Sequence, residues 1–189
     1  MTSKQFHKIL SKRLSYVLRH DPASIQLQLS IDGYASLSEL ERCLNEHGEF
    51  QCSESDIRTA VANGEKQRFL IKDDISGGRI RACQGHTIPV DLDLNEAEPP
   101  SLLYHGTVAT SLISILNVGI QKQKRHHVHL SETQKVAEEV GRRRKGDLVL
   151  LTIDADTMYT DGNIFYLSDN NVWLTDHVLP CYFKMIQYL

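Results

Sequence analysis

The sequence has 189 residues, of which 41% are hydrophobic, so it can form one globular domain or two small ones. Its net charge of −3 excludes binding of nucleic acid through overall positive charge, and any phosphate binding must come from local clusters. The chain lacks a long apolar run and a signal-peptide core, so we expect a cytoplasmic protein without membrane association, or a nuclear one in a eukaryote. The cysteine spacing fits no metal site, and we expect reduced thiols at Cys43, Cys52, Cys83 and Cys181.

Three helices are predicted in the first half of the chain. Apolar residues recur at helical spacing over residues 3–19. Ser36 with Glu39, and Ser53 with Asp56, are capping boxes that predict the starts of two more helices. The three predicted helices are followed by residues that end helices, namely Pro22, Gly48 and Gly64.

A β-hairpin follows the predicted helices. Residues 69–71 and 79–81 are typical of strands, and the glycine pair at 77–78 between them favours a turn. Arg79 and Arg81 alternate with an isoleucine, so both should lie on one face of the second strand and make it cationic. Three helices and then a hairpin is the order of a winged helix, a frequent nucleic-acid-binding module.

An acidic stretch divides the sequence into two parts. Residues 90–98 are rich in Asp and Glu and precede Pro99 and Pro100, which cannot continue a helix or a central strand. We therefore expect a linker here and two domains, at residues 1–98 and 99–189.

The second domain is predicted to be richer in strands. A helix should end at Gly119, with Leu112, Ile113 and Leu116 on one face. A second helix through Gly141 should be capped by Ser131 together with Gln134. Strands are expected at 102–105, 128–130, 148–153, 164–167, 172–174 and 181–186, and they should form a mixed sheet. The overall fold class is therefore α+β.

Candidate functional residues occur in both domains. Arg19 and His20 end the first helix, where a cation can equally well serve only to complement the helix dipole. Arg68 precedes a hairpin strand, where it could bind a phosphate group or simply belong to a solvated turn. The segment 142–145 (Arg-Arg-Arg-Lys) is expected to be a solvated helix end, with phosphate contact as the second option. The histidines at 126–129 lack a fourth ligand, so no metal site is predicted.

Six motifs occur in one order along the chain, and together they identify a family resemblance. They are Leu-Arg-His-Asp-Pro at 18–22, Lys-Gln-Arg-Phe at 66–69, Arg-Ala-Cys-Gln-Gly-His at 81–86, Tyr-His-Gly-Thr at 104–107, Arg-His-His-Val-His-Leu-Ser at 125–131 and Val-Trp-Leu-Thr at 172–175. Over nearly its whole length, the sequence resembles the KptA-type RNA 2′-phosphotransferase (tRNA 2′-phosphotransferase) family. Two segments depart from the family pattern, at 141–146 and 170–171, and neither contains a catalytic motif.

The resemblance implies a fold and a reaction. It implies a winged-helix, RNA-binding lobe at 1–98 and an ADP-ribosyltransferase-like, NAD-binding lobe at 99–189. The family moves a splice-junction 2′-phosphate of RNA, typically tRNA, to NAD as co-substrate and needs no metal. The products are RNA with a free 2′-OH, ADP-ribose 1″,2″-cyclic phosphate and nicotinamide.

The motifs also imply site residues. The family's catalytic Arg-His-Arg-Arg quartet corresponds to Arg19, His20, Arg68 and Arg125. NAD is expected to bind at His105, Gly106, Thr107, His129 and Ser131. The expected partner is RNA with an internal 2′-phosphate, and the expected state is a monomer.

Two other functions remain open at this point. One is an ADP-ribosyltransferase that caps a nucleic-acid phosphate and stops after the first chemical step. The other is a non-catalytic winged-helix regulator, which leaves the His and Arg residues of the second domain without a role. Formation of the cyclic phosphate product distinguishes the phosphotransferase from both.

Overall fold

The computed structural model describes residues 2–48, 51–64, 66–75 and 77–189. The chain divides into two compact units, Met1–Asp93 and Leu94–Leu189. The division falls inside the acidic stretch expected to be a linker. Helices and small antiparallel sheets are found in both units, and the fold class is α+β.

The first unit contains three helices, α1 (Ser3–Arg19), α2 (Leu37–His47) and α3 (Glu54–Ala62), as the sequence predicts. Ser36 and Ser53 are the N-caps of α2 and α3, accepting the backbone N–H groups of Glu39 and Asp56. A 3₁₀ turn at Pro22–Ile25 follows α1. The faces that the helices turn inward share one apolar core, which includes Leu10, Leu14, Leu18, Leu40, Leu44 and Ile57.

A three-stranded antiparallel sheet completes this unit. Its strands are β1 (Ala35–Ser36), β2 (Phe69–Asp74) and β3 (Gly77–Ala82), in the order β1-β3-β2. The hairpin is therefore confirmed, although the glycine pair lies at the start of β3. Gly77 has a φ of +115°, a backbone conformation that favours glycine at the point where the chain leaves the turn.

The two arginines of β3 lie on one face, as predicted. The guanidinium carbons of Arg79 and Arg81 are 5.3 and 4.9 Å from the centre of the Tyr34 ring, within cation–π range. Arg79 also pairs with Asp74, and Arg81 is only 8% exposed. Arg81 is therefore buried against Tyr34, whereas Arg79 is exposed and its charge is paired at the surface.

The second unit is built on two three-stranded sheets and one two-stranded sheet. Its strands are β4 (Leu102–Val108), β5 (Ile120–Gln121), β6 (Val128–Leu130), β7 (Leu148–Asp154), β8 (Phe165–Leu167), β9 (Trp173–Thr175), β10 (His177–Val178) and β11 (Phe183–Tyr188). They pair in the orders β11-β7-β4, β6-β9-β8 and β10-β5. Every ladder between described strands is antiparallel, so the predicted mixed sheet is wrong. The central strand β7 pairs antiparallel with both of its neighbours, β4 and β11.

Helix α4 (Ala109–Val118) buries only one of the three apolar residues expected to share a face. Leu112 is buried and Ile115 packs against the core, whereas Ile113 is 74% and Leu116 46% exposed. Ile113 lies about 100° from Leu112 and about 160° from Ile115 around the helix axis, so it points away from the face that Leu112 and Ile115 share.

Helix α5 (Gln134–Gly141) is not capped by Ser131. Its N-cap is Thr133, whose hydroxyl accepts the N–H of Val136. The backbone of Ser131 instead exchanges two hydrogen bonds with Tyr104, and this bridge joins the end of β6 to β4. The last helix, α6 (Ala155–Thr160), was not predicted and directly follows β7.

The four cysteines are free thiols. Cys43, Cys52 and Cys83 are buried, and burial raises the pKa of the Cys52 thiol to about 11. Within the described ranges, no helix combines the length and the apolar character that a membrane crossing needs.

Candidate active site

Three of the predicted catalytic residues come together in the first unit. Arg19 is the last residue of α1, and its guanidinium Nη2 donates a hydrogen bond to the Arg68 carbonyl oxygen at 3.3 Å. His20 follows directly, with Nδ1 3.0 Å from the Thr87 hydroxyl. Arg19 and Arg68 are half-buried and His20 is exposed. We call Arg19, His20 and Arg68 the N-terminal cluster.

Backbone hydrogen bonds hold this cluster in place. The Arg68 carbonyl also accepts the N–H of Cys83 at 3.0 Å, and the Thr87 N–H donates to the Arg19 carbonyl at 2.9 Å. The end of α1, the start of β2 and the segment after β3 are thereby tied to one another. Sequence reasoning missed Thr87, which lies one residue beyond the motif at 81–86 that could have indicated it.

A second cluster forms around β4 and β6 in the other unit. Nδ1 of His105, on β4, is 3.2 Å from the carbonyl oxygen of His129 on β6. Nη1 of Arg125 is 3.5 Å from Nδ1 of His129. We call His105, Arg125 and His129 the C-terminal cluster. The cluster therefore combines a predicted catalytic arginine with two residues predicted to bind NAD.

His105 is a neutral hydrogen-bonding group. Burial holds the pKa of its imidazole below the usual value, and the positive charges of Arg144 and Arg125 lower it further, against the raising effect of the His129 carbonyl. A carbonyl oxygen only accepts, so Nδ1 of His105 carries the proton and Nε2 is an acceptor. Nε2 can therefore accept a hydrogen bond from a hydroxyl group of a ligand.

Arg125 lies in a strongly positive environment. Its guanidinium pKa is lowered by burial first and then by the like charges of Arg144 and Arg143. In the same run, Arg142 has an ion pair with Glu138 on α5, which fits the expected role as a solvated helix end. Arg143 and Arg144 thus contribute to the C-terminal cluster, and an anion bound there would relieve their repulsion with Arg125.

Gly106 and Thr107 lie next to His105 on β4, beneath α5. A Cβ atom at Gly106 would be 1.9 Å from the Ala137 carbonyl oxygen, so close packing of α5 on β4 requires glycine. Thr107 is fully buried, and its hydroxyl has no hydrogen-bond partner among the residues described. Ser131 is half-buried beside β4. Binding of NAD by these three residues stays a prediction.

Within the described part of the chain, no group of three or more His, Cys, Asp or Glu side chains is placed to hold a metal ion. Both clusters contain arginine side chains. Arginine binds phosphate groups with several donors in a fixed geometry.

Each of the two units contains a cluster of arginine and histidine side chains, and such clusters are typical of the class of proteins that bind phosphate-bearing ligands. Comparison with known proteins narrows this class. Residues 5–177 match the family described as RNA 2′-phosphotransferase, Tpt1/KptA family. The chain belongs to this family of transferases.

Curated relatives cover almost the same length. A probable RNA 2′-phosphotransferase of Acaryochloris marina is 46% identical over 180 residues, which cover 95% of this chain and 97% of the relative. Probable RNA 2′-phosphotransferases of Rhodopirellula baltica and Flavobacterium johnsoniae are 48% and 46% identical, covering 91% and 94% of this chain and 92% and 95% of those proteins.

Proposed function

We propose that the protein is an NAD-dependent RNA 2′-phosphotransferase. It moves the 2′-phosphate left at a splice junction to NAD, giving RNA with a free 2′-OH, ADP-ribose 1″,2″-cyclic phosphate and nicotinamide. The observation that carries this proposal is the N-terminal cluster, where the Arg19 guanidinium contacts the backbone of Arg68 and His20 follows Arg19 directly. The substrate we propose is tRNA, acted on by a monomer in the cytoplasm.

The first unit is the proposed RNA-binding lobe. Its order of helix, strand, two helices and hairpin supports a winged-helix description. The second unit is the proposed ADP-ribosyltransferase-like lobe, to which NAD binds. Neutral His105 suits a ribose hydroxyl through Nε2, and the positive charge of Arg143 and Arg144 suits the pyrophosphate.

In the first step, Arg19 and Arg68 hold the 2′-phosphate so that one of its oxygens attacks C1″ of the nicotinamide ribose. The C1″–N bond breaks, and nicotinamide leaves as a neutral molecule with the bonding electrons. The nucleophile is already an anion, so the main contribution of the two arginines is alignment.

In the second step, the ribose O2″ attacks phosphorus and the RNA 2′-oxygen leaves. O2″ loses a proton and the 2′-oxygen gains one, so no net proton is released. His20 is exposed at the end of α1 and is the proposed group for this proton transfer. Arg125 stabilises the charge that develops on the phosphoryl oxygens.

Incubation of the protein with 2′-phosphorylated RNA and NAD, with analysis of both products, tests the proposal. We expect dephosphorylated RNA together with ADP-ribose 1″,2″-cyclic phosphate. RNA that keeps its phosphate and gains ADP-ribose would instead support the alternative transferase, which stops after step one. Binding of RNA without consumption of NAD would support the non-catalytic regulator.

A further inference from the structure

A groove on the first unit runs between α1 and α3. It has a volume of about 780 Å³, and its α1 wall presents side chains at helical spacing, including Lys4, Lys8 and Lys12. Thr59 and Asn63 contribute to the opposite wall. Arg68, a member of the N-terminal cluster, also lines this groove. We call it the α1–α3 groove.

The three lysines form a regular row of positive charge. Residues four apart in a helix lie on one face and are separated by about 6 Å along its axis. The row runs along α1 towards its last residue, Arg19, whose guanidinium reaches the Arg68 carbonyl. A linear array of cations therefore leads to the residues proposed to hold the 2′-phosphate.

These lysines differ from other cations of the surface. Arg42, Arg58 and Lys122 each pair with a carboxylate. In the described ranges, no ion pair is formed by Lys4, Lys8 or Lys12, and no described lining residue of the groove is acidic. In a protein of net charge −3, this positive potential is local and marks the groove for a polyanion.

The other lining groups fit a nucleic-acid backbone. Ser11, Ser15, Thr59 and Asn63 offer hydroxyl and amide groups, which hydrogen-bond to phosphate oxygens and sugar hydroxyls. His7 is the one aromatic side chain among the described lining residues, and it is only 15% exposed, with Nε2 3.5 Å from Asp56, so the groove offers little surface on which bases could stack. Contact is therefore with the backbone and independent of base sequence.

We propose that the α1–α3 groove binds the phosphodiester backbone of the single RNA strand that flanks the 2′-phosphate. This inference rests on the proposed function, because the strand in the groove belongs to the same RNA molecule whose 2′-phosphate is held by Arg19 and Arg68. Lys4, Lys8 and Lys12 each neutralise one phosphodiester, and the strand is thereby held without base recognition.

The test compares two triple variants of the full chain. The groove variant is Lys4→Gln/Lys8→Gln/Lys12→Gln, at exposed helical positions where glutamine preserves the helix. The control is Arg42→Gln/Lys135→Gln/Lys184→Gln, which removes the same charge at exposed positions outside the groove. Binding of a fluorescent RNA of about 12 nucleotides with one internal 2′-phosphate is followed by anisotropy over a range of salt concentrations.

We expect the groove variant to bind this RNA about tenfold or more weakly, and the control to bind like wild type. The slope of log Kd against log salt should be less steep by roughly 2, because each phosphate contact on a single strand contributes about 0.7. In the transfer reaction, KM for the RNA should rise while kcat is unchanged. KM for a 2′-phosphorylated dinucleotide, too short to fill the groove, should stay at the wild-type value.

Equal loss of binding in both triple variants, or an equal rise in KM for the dinucleotide, would overturn the proposal. The proposal would also be overturned if poly-glutamate displaced the fluorescent RNA as effectively as unlabelled RNA does. That result would assign the groove to acidic polypeptides. If wild type binds the RNA but transfers no phosphate to NAD, the proposed function fails, while the binding difference between the variants still decides the groove proposal.

Discussion

Arg19 and Arg68 occupy similar places in the N-terminal cluster but differ in what each holds. The Arg19 side chain donates to the backbone of Arg68, so it helps to fix the start of β2. Arg68 contributes to this contact through its carbonyl oxygen, which every residue type has. The Arg68 guanidinium can therefore be removed without loss of these hydrogen bonds.

We expect Arg68→Ala to lower the rate of phosphate transfer by about 10²- to 10³-fold, which is the usual effect of removing one positioned hydrogen-bond donor to a charged group. Its melting temperature should stay at the wild-type value. Arg19→Ala should lose similar activity and about 1 kcal/mol of unfolding free energy, because one hydrogen bond is lost. Transfer rates and thermal unfolding measure both effects.

Arg42→Ala, at an exposed site on α2, is the control and should keep full activity. Arg68→Lys keeps the charge but not the forked geometry and should recover only part of the rate. Near wild-type transfer by Arg68→Ala would remove this residue from the proposed site.

His105 predicts a pH dependence of stability. Its pKa is lowered in the folded protein and ordinary, about 6.5, in the unfolded chain. As the pH falls through this value, the unfolded chain takes up a proton that the folded protein resists, so the unfolding free energy decreases. This contribution is complete above about pH 7 and is lost progressively below it.

The measurement is urea unfolding between about pH 8 and pH 5 for wild type and His105→Asn. The asparagine amide can still donate to the His129 carbonyl but does not titrate. The variant should lose less stability than wild type on acidification. His127 also has a lowered pKa and remains in both proteins, so its effect cancels in the comparison. Parallel pH profiles would contradict the assignment of a neutral His105.

At the scale of elements, the packing of α5 on β4 depends on Gly106. We expect Gly106→Ala to destabilise the protein by about 1–3 kcal/mol or more, because its Cβ would collide with the Ala137 carbonyl. Amide exchange in α5 should become faster. Gly162→Ala is the matched control, since a Cβ there meets nothing within 4 Å and only its positive φ causes strain. Unchanged exchange in α5 of the Gly106 variant would show that the helix accommodates the methyl group.

Sequence periodicity predicted the elements that have strong local signals. The α1 stripe, the capping box at Ser53 and the apolar run of β7 all gave correct elements, because each signal is contained in one short segment. The cap of α5 was misassigned because Ser131 and Thr133 both precede the helix at plausible spacing. Only the tertiary bridge to Tyr104 engages Ser131 and leaves Thr133 as the cap.

The site could be predicted in part from motifs. Within each cluster the structure brings predicted residues together, Arg19 with Arg68 and His105 with His129. The contributions of Thr87 and Arg144 depend on contacts between segments far apart in sequence. No local pattern specifies such contacts, because chain folding alone decides which loops meet.

At the scale of the whole molecule, the proposed reaction needs both units. Arg19, in the first unit, is assigned to alignment of the 2′-phosphate before step one. Arg125, in the second, is assigned to the charge that develops on phosphorus in step two. The two arginines therefore act on different barriers, and their loss should leave different species in the reaction mixture.

We expect Arg125→Ala to slow step two more than step one, so that RNA joined through its 2′-phosphate to ADP-ribose accumulates. Arg19→Ala should consume substrate slowly without accumulating this species, because the nucleophile is no longer aligned. A time course with RNA labelled at the 2′-phosphate, resolved on a gel, measures both. If Arg125→Ala reacts slowly with no intermediate at any time, this arginine acts in step one, since a group needed only for step two cannot slow consumption of the substrate before it.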